Sequence, residues 1–111
     1  MTISPFRSGL ALGVATLVVA TAAFAATTTD IDQLRQRFTV SKLDVWKGDV
    51  VRFVNHDEVR HNVHIIDDRD EHRDVGFQDP GQTLNVTFDK FGTFIVRCEI
   101  HQKMKMKIVV H

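Results

Sequence analysis

Cys98, His101 and Met104 stand at intervals of three in the stretch Cys98-Glu99-Ile100-His101-Gln102-Lys103-Met104. The stretch lies between two apolar segments, and a loop of that length turns a thiolate, an imidazole and a thioether toward one point. Soft sulfur donors with imidazole select copper or zinc over hard cations, and two His, one Cys and a weak axial Met is a donor set of electron-transfer copper. The second imidazole has to come from elsewhere in the chain. Of the other histidines, His61 is best placed, because it opens an apolar run just after the polar turn Asn55-His56-Asp57-Glu58. His64, three residues on in a strand, faces away from His61. With His56, His72 and His111 it reads as a solvated surface histidine. Met104 shares its alternating face with Met106, Ile108 and Val110, which alone would make it core packing. The Cys and His at matched intervals reverse that reading for Met104 and leave Met106 in the core.

The single cysteine bears on the same question. Arg7 is followed by a run of small and apolar residues from Gly9 to Phe24, and Ala23-Phe24-Ala25 offers a cleavage site. Together these read as a signal peptide spanning residues 1–25, with an uncleaved anchor as the rival reading. The rest would be delivered to a periplasmic compartment where thiols oxidise, with no membrane insertion after cleavage. A lone Cys98 there has no partner for an internal disulfide and is a free thiol, an intermolecular link or a metal ligand. A nucleophilic Cys–His pair is disfavoured, since no oxyanion or substrate-cleft signature accompanies it. Lys+Arg and Asp+Glu both number 14, so the chain lacks the basic excess that nucleic-acid binding usually shows.

The elements that must position these residues read as strands. Residues 26–37 are polar, with Thr27, Thr28 and Thr29 in a row, and are expected to be a lead-in holding at most a short helical turn. From Phe38 the pattern is β: Leu43 and Val45, the run Val50-Val51-Arg52-Phe53-Val54, His61 to Ile66, Leu84-Val86-Phe88, Thr93 to Cys98, and Met104 to Val110. Lys47-Gly48-Asp49, Asp79-Pro80-Gly81 and Asp89-Lys90-Phe91-Gly92 are turn signals. Asp67 to Asp74 holds no apolar residue and is expected to be a solvated loop. Short strands and turns without a helical pattern predict one all-β sandwich or barrel over residues 38–111.

Lys47-Gly48-Asp49-Val50-Val51, Asn55, His61-Asn62-Val63-His64, Pro80-Gly81-Gln82, Phe88, Gly92-Thr93-Phe94 and Cys98-x-x-His101-x-x-Met104 follow one another in the order seen in cupredoxins, the type 1 blue copper proteins. The short loop and the His-Asn-Val-His segment most resemble amicyanin and plastocyanin-like proteins, over about residues 38–110. The resemblance implies a cupredoxin-like Greek-key β-sandwich holding one type 1 copper ion at one end. It implies His61, Cys98 and His101 as strong ligands, Met104 as the weak axial one, and the Asn62 backbone N–H directed at the Cys98 sulfur, where such bonds tune the potential. Val96 stands where these families often carry an aromatic residue, no proline lies between Cys98 and Met104, and Glu99, Gln102 and Lys103 make the loop polar.

The resulting expectation is a non-enzymatic, monomeric carrier that passes single electrons between redox proteins. A periplasmic dehydrogenase and a c-type cytochrome are the partners the family suggests. A copper carrier or buffer of the cell envelope using the same ligands, and a metal-free or zinc-binding structural sandwich, are the competing readings.

Overall fold

The computed structural model describes residues 13–18 and 25–111, so most of the expected signal segment 1–25 lies outside the described residues. Nine strands form the domain: β1 (Thr28–Leu34), β2 (Arg37–Phe38), β3 (Lys42–Val45), β4 (Asp49–Asn55), β5 (His61–Ile66), β6 (His72–Gln78), β7 (Thr83–Phe88), β8 (Gly92–Arg97) and β9 (Lys105–Val110). They make a four-stranded sheet in the order β2-β1-β4-β7 and a five-stranded sheet in the order β3-β9-β8-β5-β6. The fold is an all-β sandwich, and no helix long and apolar enough to cross a membrane occurs among the described residues.

Alternation along each strand builds the core. Val51 and Phe53 of β4, Val63 and Ile65 of β5, Val86 and Phe88 of β7, Val96 of β8, and Met106, Ile108 and Val110 of β9 all point between the sheets and are buried. Most of their sequence neighbours are at least partly exposed, as a period of two requires, while Asn62 is buried beside the loop that follows β8. Val96, where an aromatic residue was the family's habit, is fully buried in this layer.

Two sequence expectations are corrected. The segment 26–37 is no lead-in with a helical turn: β1 pairs parallel with β4 from Thr28↔Val50 to Gln33↔Asn55 and buries Ile31 in the core. Its buried apolar signal is a single residue, because its outer face is solvated and Leu34 is exposed. There Asp30 accepts two bonds from the Arg52 guanidinium, at 2.8 and 2.7 Å, across the directly paired position. The charged stretch 67–74 is likewise only partly loop. His72, Arg73 and Asp74 begin β6, the edge of the five-stranded sheet. Charged residues on an edge strand discourage pairing with another chain, so they do not argue against a strand here.

Between β1 and β2, Arg35 and Gln36 both adopt left-handed backbone, at φ 54° and 55°. That is the two-residue turn whose twist matches a hairpin, usually made with Asn or Gly. Here the Asp57 carboxylate, reaching over from the β4–β5 loop, accepts the backbone N–H of both residues.

Candidate metal centre

β5 and β8 are antiparallel neighbours, with His64 opposite Arg97. Continuing that register lays Cys98 and Glu99, which follow β8, alongside the start of β5. The loop from Cys98 to Met104 closes on itself: the Cys98 N–H donates to the Met104 carbonyl at 3.0 Å, and the Met104 N–H donates to the His101 carbonyl at 2.9 Å. This turn directs the loop's first and last side chains inward. Cys98 and Met104 are wholly buried, as is His61, while His101 is partly exposed.

The structure brings together three of the four residues singled out as strong or weak donors in a measurable way. His61 Nδ1 lies 3.1 Å from His101 Nδ1, and Cys98 Sγ lies 3.7 Å from each of those nitrogens. Metal bonds of about 2.0–2.1 Å to nitrogen and about 2.3 Å to sulfur place two nitrogens about 2.9–3.4 Å apart, and a nitrogen and a sulfur about 3.7 Å apart at trigonal angles. The donor spacings fit one ion. Met104 is buried at the return of the same loop, with its backbone fixed by the bonds above.

The hydrogen bonding around the donors explains why they face one another. His61 Nε2 stands 2.6 Å from Asp57 Oδ2, so this nitrogen carries the proton and leaves Nδ1 as a bare lone pair aimed at Cys98 and His101. A buried lone pair is costly unless a donor or a cation faces it. Burial raises the Asp57 carboxyl pKa, but the hydrogen bonds from His61, Gln36 and Arg35 outweigh it and leave the group below its usual value. The sulfur also has a partner: the Asn62 backbone N–H donates to Cys98 Sγ at 3.4 Å. Asn62 grips the loop from its side chain too, accepting the Glu99 N–H at 2.6 Å. Asn55, buried at the end of β4, shapes the preceding loop; its amide donates to the carbonyls of Val59 and Gln78 and accepts the Asp57 N–H.

Asp57 is the residue that sequence reasoning missed. It lies four before His61 in a turn that read only as polar, and its role depends on β1 being a strand, which places Arg35 and Gln36 above it. Of the remaining histidines, His56 and His111 are exposed and sit against Asp32 and Asp44. His64 is less solvated than expected, its side chain 14% exposed and its ring against that of His72.

Residues 25–111 match the family of copper binding proteins described as plastocyanin/azurin, and the chain belongs to that family. Its cofactor is therefore copper, and His61, Cys98, His101 and Met104 form the pattern of a type 1 copper site. Among individual proteins, it is similar to the methylamine utilization protein MauL of Methylorubrum extorquens, 30% identical over 63 residues. That match takes in 57% of this chain and 55% of MauL, about half the length of the relative. Among solved structures it resembles a reduced tryptophan-to-tyrosine variant of amicyanin, with a TM-score of 0.70 and 26% identity over 81% of this chain and 88% of that one. The Cu(I) form of a methionine-to-alanine variant of amicyanin gives a TM-score of 0.68 and 26% identity over 83% and 88%. A purple cupredoxin from Nitrosopumilus maritimus shares the fold alone, with a TM-score of 0.66 and 18% identity over 74% and 98%.

Proposed function

We propose that this chain is an exported electron carrier, in which His61, Cys98 and His101 would hold copper strongly and Met104 would hold it weakly. The observation that carries the reading is the gathering of the His61 and His101 Nδ1 atoms and the Cys98 sulfur with spacings that suit one ion. Copper bound there supplies a one-electron couple between its two oxidation states. The residues hold the donors in place: Asp57 fixes the His61 ring, Asn62 fixes the loop beside Cys98, and the loop's two backbone bonds fix Met104. A site so prearranged changes little between oxidation states, which suits electron transfer better than the metal exchange a copper carrier needs.

His101 is the exposed member of the set and lines an open groove with Arg35, Arg37, Lys103 and Lys105; no carboxylate among the described residues lines it. Its imidazole edge is the natural port for electrons, and the cations around it suit a redox partner with an acidic docking face. Export, a periplasmic location, a monomeric state and partners such as a dehydrogenase or a c-type cytochrome belong to the same reading. They rest on the apolar leader with its Ala23-Phe24-Ala25 site and on the family.

The test is the absorption spectrum of the mature chain with one equivalent of copper(II). Intense visible colour that bleaches on reduction, returns on reoxidation without loss of copper and vanishes in Cys98→Ser is expected. A Cys98→Ser protein as coloured as the parent would refute the ligand set, and copper lost at each reduction would favour the carrier.

A further inference from the structure

On the outer face of the five-stranded sheet, a second pair of histidines repeats the arrangement of the copper-site pair. His64 of β5 and His72 of β6 approach with His64 Nε2 2.9 Å from His72 Nδ1. Their ring centroids are 5.1 Å apart and their planes inclined at 61°, against 4.9 Å and 71° for His61 and His101. The support behind the rings matches as well. His72 Nε2 stands 3.2 Å from Asp70 Oδ1, just as His61 Nε2 faces Asp57, so a protonated Nε2 leaves the Nδ1 lone pair turned toward His64. A carboxylate that orients a metal-bound imidazole through its far nitrogen is a recurring support for such ligands.

Glu99 flanks the pair on the His64 side: its Oε1 lies 3.5 Å from His64 Nε2 and accepts Arg97 Nε at 2.6 Å, which holds the carboxylate against the sheet. Two nitrogens bound to one first-row ion stand about 2.9–3.4 Å apart, so the His64–His72 spacing is that of neighbouring ligands. Strand pairing sets this spacing: His64 sits opposite Asp74 and Ile66 opposite His72, so both histidines fall on the outer face two positions apart.

We propose that His64 and His72 form a second metal site, outside the copper centre, for a cation of the zinc or copper(II) kind. Two imidazoles with no thiolate suit these ions. The pair lies close to the copper loop, because Glu99, which approaches His64, follows Cys98 and its N–H is held by Asn62.

Zinc is the probe, added to the copper-loaded protein and measured by elemental analysis after gel filtration, with the visible absorption followed in parallel. One zinc per chain beside one copper is expected, with the colour intact. His72→Gln and His64→Gln should each weaken zinc binding by more than about tenfold, the least that losing even a supporting partner of a ligand costs. Retained colour in His72→Gln reports that the fold and the copper centre are whole, which separates this outcome from failure of the copper assignment. No bound zinc, zinc taken up only as the colour is lost, or zinc retained by either variant would overturn the site and leave the pair as two hydrogen-bonded imidazoles.

Discussion

The Asp57 carboxylate faces the His61 imidazole on one side and accepts two backbone N–H groups of a left-handed turn on the other. Asp57→Ala should therefore act twice. Leaving those donors without a partner costs about 1–3 kcal/mol, to be read as a lower midpoint in urea unfolding of the metal-free protein. Freeing His61 should weaken copper binding about 10–100-fold, measured by competition with a chelator. The two methionines give a second contrast. Met104→Leu should keep the colour, because three strong donors remain, and raise the reduction potential by removing an axial sulfur. Met106→Leu conserves volume in the core, so it should cost under about 1.5 kcal/mol and leave the potential where it was. Voltammetry on both variants decides, and a shift in the second alone would reverse their roles. The donors themselves were legible, since Cys98, His101 and Met104 lie on one short loop and His61 opens a strand. Asp57 was not, because its neighbours come from a strand remote in sequence and its own spacing is that of any polar turn.

Apart from β6, the strands from Lys42 onward were visible in the alternation of apolar residues, together with most of their turns. β1 escaped because Ile31 is its one fully buried apolar residue and the other inward position, Gln33, is an amide. A hydrophobic period cannot be read from a strand that buries one side chain of that kind. The consequence is testable at the same scale. A chain beginning at residue 38, where the β pattern starts, would strip β4 of its parallel neighbour and uncover Phe53 and Val51 at that edge. Such a truncation should be unfolded or aggregated by circular dichroism and gel filtration, while one beginning at residue 26 should unfold cooperatively. β6 escaped for a different reason: charge on an edge strand serves solubility and looks, in one dimension, like a loop.

Across the whole molecule, charge is unevenly placed although it sums to zero. Arg35, Arg37, Lys103 and Lys105 ring the groove beside His101, while β5 runs away from that end into the stretch Asp67–Asp74, which carries five carboxylates against two arginines. A molecule so polarised presents its basic end to an acidic partner, and screening weakens that steering. The second-order rate of electron transfer to an acidic redox protein should fall as salt rises, and Lys103→Glu should lower it at low salt while leaving the visible spectrum unchanged. A stopped-flow salt series on both proteins checks this; rates that rise with salt would place the docking face elsewhere. The pairing of β3 with β9 has a further consequence, this one for the order of assembly. Lys42 meets Lys107, and the five-stranded sheet is incomplete until that long closure is made. Folds dominated by such distant pairings fold slowly, in milliseconds to seconds, because chain entropy is lost before contacts repay it. The donors share this fate, since His61 and Cys98 come from strands that meet only when the sheet forms, and β9 follows directly on Met104. Before that closure the chain offers an ion only the loop donors Cys98, His101 and the weak Met104, without His61, too little to bias the search. Copper should therefore leave the refolding rate nearly unchanged and slow unfolding instead, the signature of a contact formed after the transition state, as stopped-flow circular dichroism with and without the ion would record.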